Sequence, residues 1–400
     1  MNLKFDIVVV GSGLSGCTTC LALTKAGYNI ALVDPIIFEK IKFSNFDSRT
    51  TALSSKGKLF YEKIKVWNKI SKYCCPIKNI LVKNENSNNN VYFNKNKHDK
   101  ISAPLGYMIE NKDLSRQLIK LVKEEKKIKK FNTKIVSFDR SPDNVLVKLE
   151  NGKNILCKLL IGADGKNSLV RKLAGIKYSK KDYNQKAFIF NIKHKKNHNY
   201  IAVENFLEEG PIATLPIKRK NSNLFSSVVW SCNHPFYLKI MQKNQAELVT
   251  LLNYHFADLY GKVSIASKIK NWDLSLINAK RYTDHRLLLL GDAAHSIHPL
   301  AGQGFNLTLR GIEKIYNKCS IYYNKNEDVG SYKFLSYYSN THYLDAKAII
   351  YATDKLNFLF SNSNFFLKRI RNTGINIFNK NKYIKNIFKN YASNGTFSIK

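Results

Sequence analysis

No run of about 18 apolar residues occurs in the chain, so no stretch reads as a membrane-spanning helix. No basic leader precedes an apolar stretch of signal length. Both absences point to a soluble or peripheral protein of the cytoplasm, peripheral meaning on the inner face of the cytoplasmic membrane. Metal-clamp patterns are missing too: no short cysteine pair among the seven cysteines is followed by a second pair or by a spaced histidine cluster, and Cys74 and Cys75 are adjacent, a poor clamp. The odd, dispersed set argues for free thiols in a reducing compartment. Acidic residues are scarce, 29 against 65 Lys plus Arg, which leaves a formal charge of +36. Such a field attracts anionic membranes or polyanions. A bias toward Lys, Asn and Ile in every kind of segment produces the same charge with no partner at all. With 400 residues the chain exceeds one usual hydrophobic core, so two domains and an enzyme or transport component are expected rather than a small adaptor.

What is present begins in "KFDIVVVGSGLSGCTTCLALTKAGYNIALVDP". The mainly apolar Phe5 to Val10 reads as a buried parallel strand. Gly11, Gly13 and Gly16 follow at G-x-G-x-x-G spacing, for a tight turn, close backbone approach to a pyrophosphate, and close packing of helix on strand. A helix from about Leu14 to Ala26 then turns its first N–H groups to the phosphates. A second strand, Asn29 to Val33, ends in Asp34, about 20 residues on, where a carboxylate can accept adenosine-ribose hydroxyls. The combination is a dinucleotide site in a Rossmann-like α/β unit, and residue order alone leaves FAD and NAD open.

Further along, "DSRTTALSSKGKLFYEKI" is a polar segment entering a helix that buries Leu59, Phe60 and Ile64, with Arg49 solvated or functional. Residues 84–100 read as a loop or loose hairpin. A helix follows with Leu114, Leu118 and Leu121 on one face. "NVLVKLENG" and "NILCKLLIGADG" form a hairpin about Asn151-Gly152, and Asp164-Gly165 ends a strand, either capping the next helix or meeting a cofactor. Residues 183–232 alternate as successive strands, consistent with an antiparallel sheet in an inserted second domain.

The most abrupt change lies in "LLLLGDAAHSIHPLAGQGFN", residues 287–306, where a buried strand gives way to a glycine-rich turn and then a helix from near Gly304. Asp292 can accept a hydrogen bond from a cofactor hydroxyl, and Gly302 and Gly304 let backbone N–H groups approach a flat anionic ring. His295 and His298 lie across a turn without a nearby third ligand, so no metal site is expected; His295 is either packed, capping or catalytic.

The glycine cluster, the Arg-Thr-Thr-Ala-Leu segment, the Gly-Ala-Asp-Gly turn and residues 287–306, in this order, resemble the FAD-dependent aromatic hydroxylases of ubiquinone biosynthesis, within the class of para-hydroxybenzoate hydroxylase. The resemblance spans at least residues 3–360. It implies a Rossmann-like FAD-binding domain of that type with an inserted antiparallel-sheet substrate domain: FAD-binding segments at 1–70, 101–180 and 276–360, a substrate-side excursion at 71–100, the β-sheet substrate domain at 181–275, and a basic helical tail at 361–400. It also implies roles. Gly11, Gly13 and Gly16 cradle the pyrophosphate, and Asp34, where glutamate is common, holds the ribose. Arg49 lies near the ribityl or phosphate region, with Asn111 and Arg116 beside it. Asp164 and Gly165 contact FAD and the nicotinamide donor. Asp292 binds the ribityl or pyrophosphate part, Pro299 lines the reactive face, and the backbone of Gly302, Gln303, Gly304, Phe305 and Asn306 faces the ring system.

The implied reaction takes NADH or NADPH and O2 and hydroxylates a polyprenyl-phenol ring. The nicotinamide donor binds transiently, in keeping with the lack of a second strand-linked G-x-G-x-x-G. Lys-rich surfaces near an entrance for the prenyl tail suit an anionic membrane, and "NTGINIFNKNKYIKNIFKNYASNG" reads either as a surface-lying amphipathic helix or as one packed on its own protein. A complex with other ubiquinone-pathway proteins is a further implied partner; nucleic acid is not expected, and the oligomeric state is left open. The competing functions are a related flavin monooxygenase or oxidoreductase on another aromatic or lipid, a tRNA-modifying flavoprotein, and a non-enzymatic scaffold.

Overall fold

Every position of Ile7–Val10 is at most 6% exposed, as a strand covered on both faces requires. In the computed structural model, which describes residues 2–43, 48–84, 87–93, 104–219, 222–299 and 302–360, this strand lies inside a six-stranded sheet. The order is Thr283–Asp284, Leu287–Leu289, Leu159–Gly162, Ile7–Val10, Ile30–Val33 and Ile128–Phe131. All pairings are parallel except at the Thr283–Asp284 edge. The Leu14–Lys25 helix packs between the helices Asn111–Glu124 and Gln303–Asn324. It is covered on nearly every side, so its residues Gly16 to Thr24 are all buried.

A larger, nine-stranded sheet runs in the order His295–Ser296, Lys270–Ala279, Tyr178–His194, Ser222–Asn233, Gly210–Arg219, Ile201–Leu207, Asn79–Asn84 and Ser87–Phe93, with Val263–Ile265 paired to Tyr178–His194. Its pairings are antiparallel apart from the parallel junction of Ile201–Leu207 with Asn79–Asn84. One face packs Phe188, Val203, Ile212 and Trp230 against Ile240, Leu252 and Phe256 of the helices His234–Gln242 and Gln245–Tyr260. The other face turns toward a small sheet of Thr50–Ser54, Gly106–Glu110 and Cys75–Ile77, through a cluster that joins Ala202 and Ile217 to Cys75, Ile77 and Met108.

Two local expectations change. Leu59 is 60% exposed instead of buried, and Tyr61 is buried in its place. The helix Ser55–Lys63 buries Gly57, Phe60 and Tyr61, and Ile64 follows. That is the 3-and-4 spacing of one helical face, which Leu59 misses. Of the two readings of residues 84–100, the hairpin holds for the described part: Ser87–Phe93 pairs antiparallel with Asn79–Asn84 through Val82↔Val91 and Leu81↔Tyr92 and so joins the large sheet. The polar stretch before the Ser55–Lys63 helix is itself a strand, Thr50–Ser54. The rest of 84–100 and the basic tail at 361–400 lie outside the described residues. No described helix is long and apolar enough to cross a membrane.

Arg286 ties the edge of the six-stranded sheet to the turn at Pro142 and to Asp328. It is 3% exposed, sits at φ +52, and donates to the carbonyls of Pro142 and Lys158 and to both oxygens of Asp328. Removing a buried, paired cation leaves acceptors unsatisfied, so Arg286→Ala is expected to cost about 2–4 kcal/mol in urea unfolding. A loss below about 0.5 kcal/mol would contradict this role.

Candidate functional site

The parallel strands Ile7–Val10, Leu159–Gly162 and Leu287–Leu289 are neighbours, and each ends in a tight turn on the same edge, where crevices form in open α/β sheets. Gly11 has φ +103, and a Cβ there would lie 2.4 Å from the Ala163 carbonyl oxygen, so the first turn rests against the second. A Cβ on Gly16 would lie 1.8 Å from the Gly11 carbonyl oxygen. Gly13 differs: no protein atom lies within 4 Å of its would-be Cβ, and its backbone caps the Leu14–Lys25 helix over open space.

Asp34 closes this loop. Its Oδ2 accepts from the Ser12 N–H at 2.7 Å and its Oδ1 from the Ile36 N–H at 2.8 Å, leaving a lone pair on each oxygen for a further donor. The Lys130 ammonium donates to the Asp34 carbonyl.

At the third strand end Gly291, at φ +58, packs on Ser15, which brings the Gly291-Asp292 turn beside the first helical turn. The Asp292 side chain is accessible, yet burial among neighbouring groups raises its pKa while Arg49 and Lys166 pull it down. A carboxyl that is both enclosed and reachable lines a recess. Arg49 stands across it, its guanidinium 5.0 Å from the centre of the Trp272 ring.

Asp164 accepts from Ser168 Oγ at 2.5 Å and from the Val170 N–H at 3.0 Å, one bond to each carboxylate oxygen, which ties it to the start of the short helix Leu169–Leu173. Gly165, at φ +82, has an open Cβ direction. Arg171, which sequence reading passed over, donates to the Ala293 carbonyl from Nη1 and to the Lys166 carbonyl from Nη2, both at 2.8 Å. It thereby fixes the 164–166 turn against the 291–293 turn.

The fourth component is the N-terminus of the Gln303–Asn324 helix, one residue earlier than its glycine pattern suggests, with Gly302 in the left-handed region at φ +60 as N-cap. A Cβ on Gly302 would meet Ala52 Cβ at 2.9 Å, and the Gly302 N–H donates to the Pro299 carbonyl at 3.0 Å. Pro299 is half-buried. The Asn306 amide donates to the carbonyls of Ala52 and Gly302 and accepts from the Ser54 N–H, clamping the Thr50–Ser54 strand to the helix. Its side chain is thus a brace, and what it leaves toward the recess is backbone. Gln303 is buried, Phe305 packs on the main core, and Gly304 has only Ile297 Cγ1 near its Cβ direction, at 3.7 Å.

Asn111 joins this group through Thr51, whose hydroxyl donates to Asn111 Oδ1 at 2.7 Å. Arg116 lies on the exposed side of its helix, bonded to Asp113 and over the Phe43 ring at 4.9 Å. His295 is turned inward: 2% exposed, 3.4 Å from His342 Nε2 and beside Tyr282, with burial lowering its pKa to about 4. A neutral, sealed imidazole has no route to a reacting ring, so His295 is a core histidine. His298 meets Gln185 at 3.2 Å. No group of three or more metal-ligating side chains occurs among the described residues, and all seven cysteines are buried free thiols.

The combined surface fits FAD by three independent marks: open space at Gly13, helix N-termini at Gly13 and Gly302, and a buried Thr50 Oγ1 that finds no protein partner. Residues 4–342 match the FAD binding domain family. The ubiquinone hydroxylase UbiL of Rhodospirillum rubrum is 29% identical over 395 residues, covering 98% of this chain and 90% of its own. The 3-demethoxyubiquinol 3-hydroxylase of Escherichia coli is 28% identical over 379 residues, 94% of each chain. Among solved structures, PqsL, a probable FAD-dependent monooxygenase from Pseudomonas aeruginosa, matches with a TM-score of 0.77 at 19% identity over 94% of this chain and 100% of its own, a likeness of fold. Strand-end turns, glycine geometry and a family match over most of the length agree: the chain belongs to the FAD binding domain family.

Proposed function

We propose that this protein is an FAD-dependent aromatic-ring monooxygenase of ubiquinone biosynthesis, which uses NADH or NADPH and O2 to hydroxylate a polyprenyl-phenol. The observation that carries the reading is an FAD cradle facing one side of a large β-sheet, in a chain that matches ubiquinone-pathway hydroxylases over nearly its whole length. When bound, FAD supplies the redox and oxygen chemistry that no side chain here provides.

The chain's own groups then bind, orient and exclude water. Backbone N–H groups from Ser12 to Ser15 hold the pyrophosphate at the helix N-terminus, and Asp34 accepts ribose hydroxyls. Asp292 and Arg49 flank the middle of the cofactor, while the Gly302–Asn306 backbone, held by Asn306, supports the ring system without a bulky side chain in the way. The large sheet covers the site and keeps bulk water from it. A prenyl tail enters from a bilayer, and the charge of +36 favours an anionic membrane surface.

The test is NADH and NADPH oxidation by FAD-loaded protein with and without a short-tailed prenyl phenol. At least about 10-fold stimulation by the phenol is expected, a transition-state effect of only about 1.4 kcal/mol. Retained FAD with no stimulation overturns the substrate class; folded protein that takes up no FAD overturns the whole reading.

A further inference from the structure

The nine-stranded sheet presents one carboxyl to the cofactor side that none of the assignments above uses. Residues directly opposite in neighbouring strands share a face, so the strand pairings define rows. Glu204 stands opposite Val82 and Ala213; Ala213 faces Val229, and Val229 faces Ile189. The row on one side of it runs Ala202, Leu215, Ser227 and Asn191, and ends on the small sheet: Asn191 Nδ2 donates to Glu110 Oε1 at 3.3 Å, and Ala202 packs in the cluster that Ala52 joins. The row on its other side passes through Ala187 to Trp272, over which Arg49 lies. Glu204 thus shares the sheet face that reaches the small sheet through Asn191, three strands along, and Arg49 through Trp272, four strands along. In this sheet, where most positions are buried, Glu204, Val229, Ile189 and Leu215 stay partly exposed. Together they form a partly exposed patch in which the carboxyl is set among aliphatic side chains.

We infer that Glu204 receives the phenolic hydroxyl of the aromatic substrate and accepts its proton as the ring is oxygenated. The assignment rests on the monooxygenase reading above and adds the residue that recognises the phenol. In the step, the substrate O–H bond breaks, the proton passes to a Glu204 carboxylate oxygen, and the electron pair stays on the phenolic oxygen, from which it enriches the ring. Val229, Ile189 and Leu215 give aliphatic surface on the same face as the carboxyl, so the hydroxyl and the prenyl tail meet opposite chemistries.

Glu204 makes no hydrogen bond or ion pair with any described residue, and burial alone raises its carboxyl from 4.5 to about 7. The charged and titratable groups on this side of the sheet are Lys270 at the end of its row, Cys75 with Lys218 beside it, Glu110 with Arg219 and Lys112, and Arg49; none contributes to that shift. Above about pH 7 the group is an ionised acceptor, and below it a neutral acid.

The experiment measures binding of a phenol bearing one isoprene unit, and of its O-methyl ether, to the FAD-loaded full chain at pH values on both sides of 7. The proteins are wild type, Glu204→Gln and Glu204→Ala, with FAD retention and thermal unfolding as the check on folding. The wild type is expected to prefer the phenol over the ether by about 10-fold or more on the alkaline side, as a charge-assisted hydrogen bond predicts, and to lose that preference on the acid side. Glu204→Ala should show little preference at any pH, and Glu204→Gln a weaker one that does not change with pH. Wild-type selectivity that is flat with pH, or variants that match wild type, overturns the Glu204 assignment while leaving the monooxygenase reading intact. A wild type that holds FAD yet binds neither compound overturns both.

Discussion

Gly16→Ala is expected to lower the stability of the protein by about 2–4 kcal/mol and its FAD affinity at least about 100-fold. The added Cβ would lie 1.8 Å from the Gly11 carbonyl oxygen, a backbone atom that cannot rotate away. Relief requires the Leu14–Lys25 helix to lift from the Ile7–Val10 strand. That helix is buried from Gly16 to Thr24, so the shift opens the core on three sides and carries the N–H groups of its first turn off the phosphates. Gly13→Ala is the matched control. Its Cβ meets no protein atom within 4 Å and its φ of −69° suits alanine, so the FAD-free protein should unfold as wild type does. FAD affinity should nevertheless fall by about 10-fold or more, because the methyl occupies the space reserved for close approach. Thermal unfolding with and without FAD separates the two effects; equal behaviour of the two variants would remove the distinction between a packing glycine and an approach glycine.

Arg171→Ala should have a comparable effect by a different route. Arg171 is 4% exposed and its two terminal nitrogens hold carbonyls of two separate turns, those of Lys166 and Ala293. Its guanidinium also lies 4.4 Å from the centre of the Tyr178 ring. Truncation leaves one buried and one part-buried acceptor without donors and a void where the planar group lay, together about 3–5 kcal/mol. Because the released turns carry Gly165 and Asp292, FAD retention should fall along with stability. Arg171→Lys keeps the charge but offers a single ammonium in place of a fork, so it should recover only part of either loss. If Arg171→Ala unfolds within about 0.5 kcal/mol of wild type, the coupling of the two turns is not what positions them.

The core strands and the glycine turn were legible because their signals are local. A buried parallel strand is a run of Val and Ile, and the phosphate turn needs glycine at positions fixed by backbone geometry. The alternating segments from 183 to 232 were legible for the same reason, and the helix containing Leu114 and Leu118 followed its spacing. Non-local pairing hid the rest. Thr50–Ser54 is polar and short, and is a strand because Gly106–Glu110 pairs with it. Asn306 braces that strand from 252 positions away. Trp272 sits on a strand, Lys270–Ala279, whose place depends on pairing with Tyr178–His194. Glu204 lies in an alternating segment, but which face of the sheet meets the cofactor follows only from the assembled layers. His295 shows the reverse difficulty: it lies within the most informative motif, and its side chain still points into the core.

The most direct measurement supplies the FAD-loaded protein with NADH or NADPH, a short-tailed prenyl phenol and isotopically labelled oxygen gas, and weighs the products by mass spectrometry. The account predicts a ring-hydroxylated product that carries one labelled oxygen atom and forms only when flavin, phenol and electron donor are all present. A product whose new oxygen comes from water, or consumption of the electron donor with the phenol recovered unchanged, would contradict it.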